Sequence, residues 1–192
     1  MTITRDEVAG YAVRDLATDL GRWFADREPA DLSGGDVRPV APFLDRLPPE
    51  SAAALTAFDA LVRSGRFPNV LDVADWSYGF DFAANGCGIV DADYETTVTD
   101  DEVYSIGADG GGNLYVVLTD GRVAVWFHEE EVLEGDTRFD DLDMFLWSIV
   151  RFAAVRAGRL SRADVEADFR ALGQDGALHP ELGLLARLSH GE

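Results

Sequence analysis

The sequence predicts an α+β fold in which a mainly antiparallel sheet, formed by about residues 70–131, is covered by helices from both ends of the chain. Near both termini, apolar residues recur every three or four positions, which is typical of helices. The middle of the chain instead has short β-branched and aromatic runs separated by glycine-containing turns. The 192 residues, 47% of them hydrophobic, can bury one core. We therefore expect a single domain over residues 1–192.

The N-terminal part predicts one helix followed by a proline-rich connector. Thr4 and Glu7 have the spacing of a capping box. A single apolar stripe follows: Val8, Tyr11, Ala12, Leu16, Leu20 and Trp23. We expect this helix within residues 1–28, because Pro29 cannot continue it. Residues 29–49 contain five of the seven prolines and a Gly-Gly turn, which predicts a loop or an extended connector without helix or strand.

The middle of the chain carries the strand signals. The clearest hairpin joins residues 114–118 to residues 122–128 through an Asp-Gly step at 120–121, a dipeptide that favours a tight turn between β-branched runs. Residues 88–91 and 102–107 are weaker candidates for strands.

Four further helices are predicted, one before the strands and three after them. The first covers residues 50–63 and has apolar residues along its inner side. The second covers residues 140–157 and is apolar on more than one side, which predicts burial on two sides or contact with a partner. Ser161 and Asp164 have the look of a capping box at the start of the third. Residues 180–188 form the last and shortest.

The net charge of −20 is concentrated in one part of the chain. Residues 72–145, called here the acidic segment, contain 13 Asp and 6 Glu but only Arg122 and Arg138, a net charge of −17 in 74 residues. The other 118 residues have a net charge of −3. Such a field repels nucleic acid and anionic lipid and attracts cationic proteins. A merely solubilising surface is the alternative interpretation.

The basic residues are 16 Arg and no Lys, and Ile and Asn are scarce as well. This combination favours a G+C-rich genome over halophily as the origin of the composition, because halophily gives no reason to lose Ile. Residues 1–7 lack the pattern of a signal peptide, and no apolar run approaches the ~20 residues of a spanning helix. We therefore expect a cytoplasmic protein that does not enter a membrane.

The sequence predicts no enzyme, metal or cofactor, because no set of side chains has the spacing of a catalytic or ligand-binding motif. His128 is followed by three Glu but lacks the second His of a zinc motif. Cys87 is the only cysteine, lies between two glycines, and is expected to be buried and structural. Residues 109–113 are expected to form a tight turn and not a phosphate cradle. A hydrolase that uses carboxylates distant in sequence, such as Asp91 and Glu129, is the competing hypothesis.

Residues 105–146 resemble the SMI1/KNR4 (SUKH) family. The matching order is a glycine-rich turn over residues 105–113, a strand over 114–118, a strand over 122–129 that ends in His-Glu, and the helix start over 139–146. The N-terminal half departs from the family pattern. The resemblance implies an α+β domain that binds proteins. Bacterial members are immunity proteins that neutralise toxins, many of them nucleases, whereas fungal members are regulatory scaffolds; the family has no agreed catalytic residues.

The acidity and the resemblance together predict an acidic protein-binding module, of the immunity type, that neutralises a cationic toxin such as a nuclease. The alternative is a regulatory or scaffold protein, for which a homodimer through Trp147 and Met144 is one form; the sequence does not determine the oligomeric state. Exposed aromatics such as Trp76, Tyr94 or Trp126 would provide the packed centre of the interface. The candidate protein-binding residues are Asp91, Asp93, Glu95, Asp100, Asp101, Glu102, Trp126, Glu129, Glu130 and Glu131.

Overall fold

The computed structural model describes residues 3–32 and 37–189, except for the side chains of residues 135–137. Its α-helices are α1 Arg5–Val8, α2 Tyr11–Arg14, α3 Leu16–Phe24, α4 Ala41–Leu44, α5 Pro49–Arg63, α6 Leu142–Arg156, α7 Arg162–Leu172, α8 Asp175–Leu178 and α9 Leu184–Ser189. Its strands are β1 Val90–Asp91, β2 Thr96–Thr97, β3 Val103–Ala108, β4 Leu114–Leu118, β5 Val123–Phe127 and β6 Val132–Phe139, and a 3-10 helix covers Asp100–Glu102.

The strands form one sheet in the order β2-β1-β6-β5-β4-β3. All neighbouring pairs are antiparallel except β1 and β6, which are parallel. The predicted α+β class with a mainly antiparallel sheet is confirmed. The predicted hairpin is β4 and β5, with Tyr115 opposite Val125.

The predicted bounds of the sheet were wrong at both ends. Residues 70–89 form turns and bends whose ladder pairing with the sheet is limited to isolated bridges, such as that between Tyr78 and Ile106 on β3. At the other end, β6 extends the sheet to Phe139. The sequence of β6 contains Glu134, a glycine and Arg138, so it has no apolar run; its backbone is nevertheless paired on both sides, with β5 and with β1.

The N-terminal helix is broken into α1, α2 and α3, which corrects the prediction of one continuous helix. The break between α1 and α2 lies at Gly10, whose φ of +76° is left-handed and favours glycine. The capping box is present: the backbone N–H and the hydroxyl of Thr4 both donate to Glu7 Oε2 at 2.9 Å. The three helices do not form a separate extension, because their buried residues belong to the same core cluster as α6.

The proline-rich connector was expected to contain no helix, but it includes α4. Pro42 lies in the first turn of α4, where its missing N–H and fixed φ are tolerated. The Gly-Gly turn predicted within the connector lies outside the described residues.

Two apolar clusters lie on the two faces of the sheet. Helices cover the first face, where Tyr104, Tyr115 and Val125 join the main cluster. Alternate residues of the same strands point to a second, smaller cluster that is closed by Phe82 and Ile89. This alternation is the period of two that a strand imposes.

The sheet is curved around the second cluster. Thr97 and Val103 are six peptide units apart, a reach of at most about 21 Å. They nevertheless belong to β2 and β3, the opposite edges of six strands, which a flat sheet would separate by about 24 Å. Val98, in the connection between them, packs against the second cluster, so the curvature is toward that face.

Helix α6 is the centre of the main cluster, with eleven of its fifteen residues buried. This confirms the prediction that it is buried on two sides. It also contradicts the proposed dimer contact, because Met144 and Trp147 are only 2% and 3% exposed. Trp147 instead contacts the ring of Phe169 in α7 and the guanidinium of Arg151.

Candidate protein-binding surface

Two acidic turns lie at the two ends of the short strand β1. Because Val90 pairs in parallel with Val132, residues 91–95 follow β1 on one side and residues 129–131 precede β6 on the other. We call residues 91–95 and 129–131 the acidic edge. Six of the predicted binding residues lie in it: Asp91, Asp93, Glu95, Glu129, Glu130 and Glu131.

Two of these carboxylates hold the edge in shape. Asp91 lies 3.3 Å from Arg138, whose side chain is only 9% exposed, so the pair ties the turn to β6. Glu131 adopts a left-handed φ of +59°, and its carboxylate accepts the N–H of Gly88 at 2.7 Å. A Cβ on Gly88 would lie 2.7 Å from the same carboxylate oxygen, so a larger residue there would displace the Glu131 side chain.

Three carboxylates of the acidic edge are free for a partner. The residues Glu95, Glu129 and Glu130 are exposed, and no described residue forms an ion pair or hydrogen bond with their side chains. Asp93 is only partly available to a partner, because its half-exposed side chain lies 3.5 Å from Arg138. The sequence does not separate these residues from Glu131, because the difference depends on a backbone N–H that is distant in the chain.

The other three acidic candidates lie apart, in the 3-10 helix Asp100–Glu102 that leads into β3. Asp101 forms an ion pair with Arg46, and the carboxylate of Asp100 accepts the backbone N–H of Ala83 at 2.9 Å. Glu102 accepts the backbone N–H of Thr99 at 2.9 Å. These carboxylates therefore have partners within the protein, and they contribute less free charge than the acidic edge does.

Trp126 is not part of any exposed surface, which corrects its place among the binding candidates. It is 3% exposed, its indole N–H donates to Gly88 O at 3.1 Å, and its ring packs edge-on against Phe82. The alternation of β5 points Trp126 into the second cluster. Two other candidate aromatics are available instead: Tyr94, 74% exposed in the acidic edge, and Trp76, 45% exposed.

Cys87 is partly exposed, whereas the sequence predicted a buried thiol. Burial raises its pKa, and the carboxylates of Glu131 and Asp100 raise it further. The thiol therefore stays protonated at neutral pH, which makes it a poor nucleophile. Both carboxylates are close to this turn, because Glu131 accepts the N–H of Gly88 and Asp100 accepts the N–H of Ala83.

A carboxyl pair that the sequence did not indicate lies beside this turn. Burial raises the pKa of Asp100 and the nearby carboxyl of Asp81 raises it further, while the backbone N–H of Ala84 lowers the pKa of Asp81. The pair lines a cavity of about 290 Å³ with the apolar side chains of Pro42 and Phe43. Each carboxylate also accepts a backbone N–H of residues 83–84, which gives the pair a structural role.

The glycine-rich turn of residues 109–113 is tight and positive in φ, as predicted. Gly110 and Gly112 have φ values of +87° and +99°. Asp109 accepts the N–H of Gly111 at 2.7 Å, and the side chain of Asn113 lies 3.1 Å from His128 Nδ1. His128 is thereby tied to the turn.

Searches of the described residues found no group of three or more His, Cys, Asp or Glu arranged around a common metal position. Nor does any helix in the same part of the chain have both the length and the hydrophobicity needed to cross a bilayer. Comparison with protein-family models, curated proteins and solved structures found no match for this chain.

Proposed function

We propose that this protein is an acidic protein-binding module of the immunity type, which neutralises a cationic toxin such as a nuclease. The observation that carries the proposal is the acidic edge, which has three exposed carboxylates without a described partner and, in one of its two turns, an exposed tyrosine. The resemblance of residues 105–146 to the SMI1/KNR4 family supports the same class of function.

The free carboxylates of the acidic edge supply long-range attraction. A nuclease active site is built to bind phosphate and is commonly cationic, so an acidic inhibitor gains association rate from complementary charge. Glu129 and Glu130 are well placed for this role, because they are exposed and do not stabilise the fold through described contacts.

Tyr94 supplies the apolar contact that charge alone does not provide. It is 74% exposed and lies between Asp93 and Glu95. Aromatic residues that become buried at the centre of an interface carry much of its binding energy. Asp91 and Asp93, which precede it, form ion pairs with Arg138, so the ring is presented from a constrained turn.

The direct test is coexpression with the proteins encoded beside the gene, followed by kinetics on any toxin that is neutralised. Glu129→Gln together with Glu130→Gln should lower the association rate constant by about 3- to 10-fold at low salt and change dissociation little. Tyr94→Ala should instead speed dissociation, by roughly tenfold. Glu28→Gln with Glu50→Gln is the matched control, because it removes two exposed carboxylates outside the acidic segment.

Failure of every adjacent toxin candidate to be neutralised would overturn the immunity function. A regulatory scaffold would then be the remaining binding function. Sedimentation distinguishes a homodimeric scaffold from a monomer. The contact between the two copies of such a dimer would not involve Met144 and Trp147, because both are buried.

The Asp81–Asp100 pair is the one observation that favours a competing function, hydrolysis by two carboxyls with separated pKa values. Its measurement is hydrolysis of chromogenic glycoside, ester and peptide substrates between pH 4 and 8. Activity that disappears in Asp100→Asn would support an enzyme. If the wild-type protein hydrolyses these substrates no faster than the Asp100→Asn variant does, the pair has a structural role alone.

A further inference from the structure

A cavity on the helical side of the molecule differs in charge from the acidic segment. It has a volume of about 350 Å³ and lies between the C-terminal half of α3 and the end of α5. Its lining contains two arginines and no acidic residue: Ala17, Leu20, Gly21, Phe24, Ala25, Arg27, Pro29, Leu61, Gly65, Arg66 and Pro68. In a chain of net charge −20, such a site selects ligands of the opposite sign to those that the acidic edge attracts.

Both guanidinium groups are held in place by bonds that leave donors free. Arg27 donates one Nη to the carbonyl of Asn69 at 2.8 Å and lies over the ring of Phe24 at 5.3 Å. Arg66 donates Nε to the hydroxyl of Ser64 at 2.9 Å, which leaves both of its Nη groups available.

Neither arginine has a carboxylate partner in the structure. Among residues 3–32 and 37–189, no Asp or Glu oxygen lies within 4.0 Å of either guanidinium. Asp26, which directly precedes Arg27 in the sequence, lies 3.6 Å from Arg159 and does not line the cavity. Two positioned cations therefore face an acid-free cavity.

The shape of the cavity comes from small residues over a buried apolar floor. Ala17 and Gly21 on α3 and its C-cap residue Ala25 are spaced one turn apart, and a Cβ at Gly21 would have no heavy atom within 4 Å. Below them, Leu20 and Phe24 are 3% and 2% exposed and form part of the core. The floor is thus rigid and apolar, and the arginines are at its rim.

We propose that this cavity binds a small amphipathic anion, whose alkyl or aromatic body covers the apolar floor while its carboxylate pairs with Arg27 and Arg66. The volume lies in the range of about 300–1,000 Å³ that is usual for ligand sites. A guanidinium fork matches a carboxylate in geometry as well as in charge. The site is independent of the acidic edge and of any toxin partner.

Octanoate is the probe, titrated into the full-length protein and followed by amide chemical shifts. The amides of Gly21 and Gly65 should shift, with saturation. Arg27→Gln combined with Arg66→Gln should weaken octanoate binding at least tenfold, because Gln keeps much of the stem but removes the charge. Octylamine, which has the same chain length and the opposite charge, should not bind.

Gly21→Leu tests the location of the site without opening the core. The new side chain enters open space and occupies the cavity, while helix propensity improves, so octanoate binding should be lost without a lower melting temperature. Ala167→Leu is the control, since it places leucine at an exposed position of α7. Unchanged octanoate affinity in Gly21→Leu, or octanol or octylamine binding as tightly as octanoate, would overturn the proposal.

Discussion

Asp143→Ala is expected to destabilise the protein by detaching its N-terminal helices. Asp143 lies in the first turn of α6, and its two carboxylate oxygens accept the backbone N–H groups of Gly10 at 2.7 Å and Ala12 at 2.8 Å. N–H groups at the start of a helix have no acceptor within the helix itself. Asp143, more than 130 positions away in the sequence, therefore caps α2.

The size of the effect follows from the two bonds. A hydrogen bond to a charged group contributes about 1.5–3 kcal/mol, and a buried N–H left without a partner costs a similar amount. Against this, alanine relieves repulsion with the neighbouring Asp140 and Asp141. We therefore expect a loss of about 2 to 4 kcal/mol in the free energy of unfolding, or roughly 6 to 12 °C in melting temperature for a domain of this size.

Urea denaturation followed by circular dichroism measures the loss, and hydrogen exchange locates it. The amides of Gly10 and Ala12 should exchange faster in Asp143→Ala, ahead of those in the sheet. Asp15→Ala is the matched control, because this exposed aspartate lies 3.7 Å from Arg14 and caps no N–H group. A loss below about 0.5 kcal/mol, or one equal to that of the control, would refute the capping argument.

Three further predictions concern stability. Gly176→Ala should cost about 1–3 kcal/mol in chemical denaturation, because its Cβ would lie 2.1 Å from the buried ring of Phe139; a neutral result would contradict the tight packing. Arg138→Met should cost on the order of 2 kcal/mol by leaving a mostly buried aspartate unpaired, and should speed amide exchange in residues 91–95; unchanged exchange there would contradict its anchoring role. Burial raises the pKa of Asp141 above its ordinary value of 3.8, so the charged carboxylate lowers the stability of the fold. This loss of stability disappears as the pH falls through the raised pKa toward 3.8, because the carboxyl becomes protonated. Asp141→Asn, which still accepts the N–H of Met144, should therefore raise the melting temperature more at pH 7 than at pH 4, and an equal rise at both would contradict the assignment.

The sequence alone determined the elements whose signals are local. Helix α5 begins one residue before the predicted range, α6 lies within residues 140–157, and the Asp-Gly hairpin joins β4 to β5. Caps, apolar periodicity and turn dipeptides act between residues a few positions apart, so they can be read without the tertiary structure. The same holds for the charge of the acidic segment, which is a property of composition.

The tertiary structure decided the features that depend on distant backbone groups. Strand β6 forms because both of its neighbours pair with it, despite its polar side chains. Asp143 caps the helix that begins after the break at Gly10, and Trp126 is buried because Phe82 and Ile89, in the chain before β1, cover that face of β5.

The candidate site divides in the same way. Residues 129–131 are three consecutive glutamates, which the sequence does not distinguish. Only the carboxylate of Glu131 accepts a backbone N–H, that of Gly88, and so stabilises the fold. The two others remain free for a partner. Which of these carboxylates stabilises the fold and which stay exposed was set by the position of one backbone N–H group more than forty residues away, since an exposed acid and a structural one differ only in what the folded chain places beside them.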